Sequence, residues 1–156
     1  MRKNLKYIYK ASLLVVVALM FSCNKEEFKP YDHPFFHIHV GNKSAIEVAT
    51  DRKDQVDYNV YLSAVLQFDP IDLKYEVVVG NGLQAGRDFE LITQGNTLNF
   101  PNGIFERPVT IKWLAAAVDP AKNNTITIRL LSNSKNYTIG LPGPDQLQKE
   151  LIITKK

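Results

Sequence analysis

Little in this chain announces chemistry. Among 156 residues there is one cysteine, Cys23, so no internal disulfide can form. No Gly-x-Ser-x-Gly, His-Glu-x-x-His or phosphate-cradling glycine loop occurs, which removes the common signatures of esterases, metalloproteases and nucleotide enzymes. Asp69 and Asp72 are neighbours, but Asp69-Pro70-Ile71-Asp72 reads as a turn rather than a catalytic carboxylate pair. No apolar run reaches the roughly 20 residues of a membrane-crossing helix. Acidic residues are missing from the first 22 positions, which hold Arg2, Lys3, Lys6 and Lys10. Taking those four from the 19 basic residues leaves 15 against 16 acidic ones, a net charge of −1 in place of the formal +3. A near-neutral remainder has no electrostatic footprint for nucleic acid, and no nucleic-acid partner is expected. What remains, 45% hydrophobic and 22% charged, is the balance of one packed domain.

The first segment is an address. A basic leader precedes the apolar residues 11–21, a run of signal-peptide length that ends at Ser22-Cys23. This resembles a bacterial lipoprotein signal, in which cleavage before the cysteine is followed by attachment of a diacylglycerol to its sulfur. Met20 and Phe21 are bulkier than the usual box, a looseness that lipoproteins of Bacteroidota tolerate. Asn24-Lys25-Glu26-Glu27 is similar to the signal that exports such lipoproteins to the outer face of the outer membrane. The expected organisation is a signal peptide over residues 1–22, a lipidated Cys23 with a polar tether over 23–34, and a domain over 35–156. The expected location is the outer membrane, lipid-anchored and facing the cell surface.

From Phe35 onward the pattern alternates with the period of strands. Phe36, Ile38 and Val40 share one face, with Phe35, His37 and His39 on the other. Tyr58, Val60 and Leu62 form a second inward row, and Leu73, Tyr75, Val77 and Val79 a third. Residues 89–92 and 97–100, then Val109, Ile111 and Trp113, continue the series; residues 125–130 and 151–153 close it. About seven short strands with polar outer faces predict an all-β fold, an antiparallel sandwich of immunoglobulin type.

The residues between these rows carry a family likeness. Leu73-Lys74-Tyr75-Glu76-Val77 followed by Asn81-Gly82-Leu83-Gln84-Ala85-Gly86-Arg87-Asp88-Phe89 resembles the Calx-beta pattern of a Tyr-bearing strand and a Gly-Thr-Ala-x-Ala-Gly-x-Asp-Tyr turn. Asn96-Thr97-Leu98-Asn99-Phe100-Pro101-Asn102-Gly103 is similar to its Gly-Thr-Leu-x-Phe-x-x-Gly. Val109-Thr110-Ile111, residues 125–132 and the ending Tyr137-Thr138-Ile139-Gly140 with Leu151-Ile152-Ile153 follow in the family's order. The resemblance spans residues 71–154 and implies a Calx-beta-like sandwich. Independently of it, Gly82 and Gly86 suit positive-φ turns, and Asp88 is a short acceptor placed to tie loop amides.

The resemblance raises calcium, because animal Calx-beta domains can bind it through acidic clusters at one end. Calcium takes about six to eight oxygens, and the acidic loop that would supply them after Trp113 is here Leu114-Ala115-Ala116-Ala117-Val118-Asp119-Pro120-Ala121-Lys122. Asp119 is its sole carboxylate and Lys122 opposes it; Glu47, Asp88 and Glu90 are scattered elsewhere. No metal and no cofactor is expected. His37 and His39 share a strand face with His33 upstream, but zinc needs a further ligand, and Cys23 is committed to lipid. Tyr58, Tyr75 and Trp113 run in phase with aliphatic neighbours and are expected in the core. Tyr61 is out of phase with Val60 and Leu62, and Phe105 follows a turn; these two are the expected ligand contacts. No catalytic residue is expected.

The resulting expectation is a non-catalytic, lipid-anchored surface protein, a binding or accessory module for glycan or nutrient capture, acting with an outer-membrane protein complex. The alternative is an adhesion or structural spacer module with a protein partner. A small hydrolase would need convergent carboxylates that the sequence does not display.

Overall fold

A computed structural model describes residues 33–156; the signal segment, Cys23 and most of the tether lie outside the described residues. The compact unit runs from Tyr31 to Lys156. It contains ten strands: β1 (Phe35–Ile38), β2 (Ala45–Val48), β3 (Gln55–Ser63), β4 (Ile71–Val79), β5 (Phe89–Leu91), β6 (Thr97–Phe100), β7 (Glu106–Trp113), β8 (Thr125–Asn133), β9 (Thr138–Ile139) and β10 (Glu150–Lys155). They form two five-stranded sheets, in the orders β5-β7-β3-β1-β9 and β2-β10-β8-β4-β6.

Alternation builds both layers. β3 buries Tyr58, Val60 and Leu62, and β7 buries Val109, Ile111 and Trp113. The other sheet answers with Ile71, Leu73 and Tyr75 from β4 and Ile126, Ile128 and Leu130 from β8. Large rings fill the centre, and their polar tips are satisfied: Trp113 Nε1 donates to Tyr58 Oη at 2.9 Å, and Tyr75 Oη donates to the Gly95 carbonyl at 3.1 Å. The immunoglobulin-like sandwich is therefore as expected, with the three core rings in place.

Five particulars differ. The strands number ten rather than about seven, and the sandwich is not wholly antiparallel, since β1–β9 and β2–β10 pair in parallel. Val40 leaves its row and is exposed, because β1 stops at Ile38 and the chain turns through positive φ at Gly41 and Asn42. Val79 is likewise exposed, as the inward row of β4 runs past the core after Val77. Finally, Gly86 has φ of 82° as a turn requires, but Gly82 serves close approach instead. A Cβ there would collide with Asn124 Oδ1.

Candidate functional site

Pairing of the first sheet assembles a site that no single stretch of sequence contains. His37 on β1 stands opposite Tyr61 on β3, and Tyr61 stands opposite Glu106 on β7, so one row crosses three strands on the outer face. His39 lies two residues beyond His37, just past the end of β1. The rings of His37 and His39 lie 5.2 Å apart and 22° from parallel; those of His39 and Tyr61 lie 5.0 Å apart at 21°. His37 and Tyr61 are 5.5 Å apart, and Phe35 adjoins His37 at 5.2 Å. At such spacings near-parallel rings are offset, leaving part of each π-face and the polar edges uncovered.

His37, His39, Tyr61 and Glu106, with Leu62, Ser63 and Phe105, line a shallow groove of about 420 Å³. Phe105 is fixed there because its carbonyl accepts the Leu62 amide at 2.8 Å, and its half-buried ring packs on the core. Tyr61 and Phe105, far apart in sequence, thus meet in one groove. Its polar elements are held in place as well. Asn59 Nδ2 donates to Glu106 Oε2 at 3.5 Å, and the Asn42 amide donates to His39 Nδ1 at 3.3 Å. His37 Nδ1 lies 3.2 Å from Gln148 Oε1. Burial lowers the pKa of His37; the Gln148 bond favours the protonated ring, and the His39 charge disfavours it. Among the described residues no three His, Cys, Asp or Glu side chains come together to hold a metal ion.

The opposite end of the sandwich is organised by a fixed charge. Lys155 is fully buried in β10, and its Nζ donates to the Leu114 carbonyl at 2.7 Å and the Asp88 carbonyl at 3.2 Å, with Asp88 Oδ1 at 3.4 Å. Asp88 also accepts from the Gln84 amide and Arg87 Nε, each at 2.8 Å. The scattered carboxylates are likewise taken: Glu47 pairs with Lys156, Glu90 with Lys112 at 2.9 Å, and Asp119 caps the Ala121 amide at 3.0 Å. A cavity of about 600 Å³ near this end is lined by Val118, Pro120, Lys122 and Asn124 among others, without aromatic side chains.

No protein-family profile and no curated protein matches the chain. Among solved structures, CBD12 from CALX1.2 superposes with a TM-score of 0.56 at 17% identity, over 78% of this chain. The chain has a Calx-beta-like fold. It spans 43% of that larger chain, and at this identity the likeness concerns fold alone. Within the Calx-beta-like frame, sequence reasoning missed the gathering of Tyr61 with the two histidines, stacked on His39 and tilted against His37, because it depends on the β1–β3 register. It also missed Lys155, although Leu151, Ile153 and Lys155 share parity, which places the lysine on the inward row.

Proposed function

We propose that this protein is a non-catalytic binding module, tied to the outer membrane through lipid on Cys23, that captures glycan at the cell surface with the ring-lined groove of the first sheet. The observation carrying this reading is the row His37, Tyr61 and Glu106 with His39 and Phe105 beside it. A sugar offers apolar C–H faces and a belt of hydroxyls. Partly open π-faces receive the first, while Glu106, Asn59, Ser63 and the imidazole nitrogens exchange hydrogen bonds with the second. The address and the company of other surface lipoproteins support the substrate class by analogy.

Affinity electrophoresis of the full chain in detergent through gels containing soluble polysaccharides tests this. The protein should be retarded by at least one polysaccharide, and Tyr61→Ala should weaken that retardation several-fold, the effect of a ring contact of about 1 kcal/mol. Retardation indifferent to Tyr61, or none across a broad panel, overturns glycan capture by this groove and favours the adhesion or spacer reading. Cys23→Ala should abolish labelling by palmitate, and added protease should reach the domain on intact cells. Palmitate retained by that variant, or protection equal to a periplasmic control, removes the corresponding part of the address.

A further inference from the structure

The end of the sandwich where the chain enters β1 carries a second surface. Phe35 stands opposite Ser63, and Ile71 opposite Phe100, so the segment joining β3 to β4 and the segment joining β6 to β7 emerge at that end. The first segment is apolar and pushed outward: Val65 is 62% exposed, Leu66 56% and Phe68 77%. Ile104, 41% exposed, lies on the second segment, and the two segments touch where Leu66 Cδ1 lies 3.9 Å from the Cβ position of Gly103. A loop shaped only by water would place its apolar side chains inward and its polar ones outward. Here three apolar side chains point outward while Gln67 turns partly inward. Gln67 Nε2 donates to the Val65 carbonyl at 2.7 Å, and Gln67 Oε1 accepts from Tyr137 Oη at 2.7 Å. Tyr137 is itself pinned, since its amide donates to Asn133 Oδ1 at 2.9 Å. Pro70 has no amide hydrogen to satisfy, and Asp69 at the loop's shoulder is balanced by Lys135 at 3.0 Å. Inward satisfaction of polar groups with apolar tips outward is what a lipid medium demands of a loop that enters it.

We propose that Val65, Leu66 and Phe68, with Ile104, insert into the lipid surface to which Cys23 ties the chain. This rests on the lipid reading of Cys23. Eleven residues lie between Cys23 and Phe35, a reach of at most about 40 Å. The apolar loop thus occupies the end of the domain at which that short connection arrives. The two acyl chains of a diacylglycerol already give stable retention. What the loop adds is orientation, since a second point of contact fixes the tilt of the sandwich and sets the outer face of the first sheet upright beside the lipid.

Tryptophan quenching tests this, because Trp113 is the chain's sole tryptophan and is fully buried. Full-length, palmitate-labelled Phe68→Trp protein is reconstituted into phosphatidylcholine–phosphatidylethanolamine vesicles with brominated acyl chains. Val65→Trp serves as a second reporter on the loop. Asp51→Trp, on the exposed turn before β3 at the opposite end, is the control. The loop reporters should shift blue and lose emission to the brominated lipid, with Asp51→Trp and the wild type unchanged. Palmitate-bearing protein whose loop reporters stay unquenched overturns the insertion and leaves the anchor standing; a blue shift without quenching then assigns the loop to contact with a second copy of the chain. Absence of palmitate from Cys23 overturns the anchor, and this inference with it.

Discussion

Replacing Lys155 by methionine removes an ammonium from the far end of the sandwich while nearly preserving the volume of its side chain. In the native protein that ammonium joins Asp88, at the foot of β5, to the Leu114 carbonyl after β7. Its loss leaves those oxygens buried and one cation poorer. Breaking a buried pair by removing one partner costs about 3–5 kcal/mol, and because Arg87 still contacts Asp88 the lower end applies, about 3 kcal/mol. With an m-value of about 1–2 kcal/mol per molar urea, the midpoint should fall by roughly 1.5–3 M. Fluorescence of the buried Trp113 reports the transition. Asp88→Asn and the double variant complete a cycle in which the coupling should exceed about 1 kcal/mol. The pH dependence carries a sign. Burial opposes ionisation of Asp88, but the bonds from Arg87 and the Gln84 amide and the Lys155 charge outweigh it, so its pKa is lowered from 3.8. The carboxylate therefore stabilises the fold above that ordinary value, and the contribution fades as pH falls through the lowered folded value. Lys155→Met should shrink this acid-sensitive part. A variant within about 0.5 kcal/mol of wild type, or coupling near zero, would refute the reasoning.

Trp113→Ala should cost about 3–5 kcal/mol and Tyr61→Ala much less, with native tryptophan emission blue-shifted and moving red on unfolding; equal costs would remove the distinction between core and groove rings. Because burial lowers the pKa of His37 below 6.5, the unfolded chain takes up that proton first on acidification, so stability should decline as pH falls below 6.5. His37→Gln should flatten that decline, and an unchanged profile in chemical denaturation would assign it to other groups. Calcium at 1 mM should leave the melting temperature almost unmoved, whereas a site with a Kd of about 10 μM would add roughly 2.7 kcal/mol, or several degrees.

Much of the fold was legible because period-two alternation is written into long interior strands such as Thr125–Asn133 and Gln55–Ser63. Strands held mainly by tertiary pairing were not. Thr138–Ile139 is too short to show a period, and Ala45–Val48 buries only Val48 fully, so neither stands out from loop sequence. The candidate site was half legible for a related reason. Parity identified His37 and His39 as sharing a face and Tyr61 as out of phase with its buried neighbours. That the three rings gather follows from a register between residues more than twenty positions apart, which parity does not encode. Lys155 escaped notice because a lysine at the inward phase of a final strand looks like a strand ending, until three oxygens are found around it.

The sheet orders bear on how such a module behaves when crowded at high density. Every edge is stubby: β5 and β9 bound one sheet with three and two residues, and β2 and β6 bound the other with four each. The strands of eight or nine residues are all interior. A backbone ladder that short gives a neighbouring chain too few unpaired amides and carbonyls to template against, so copies side by side remain separate rather than zipping into a continuous sheet. Strand addition is disfavoured at these four edge strands for the same reason, which leaves the side chains on the faces and loops of the described residues as the better surface for a partner.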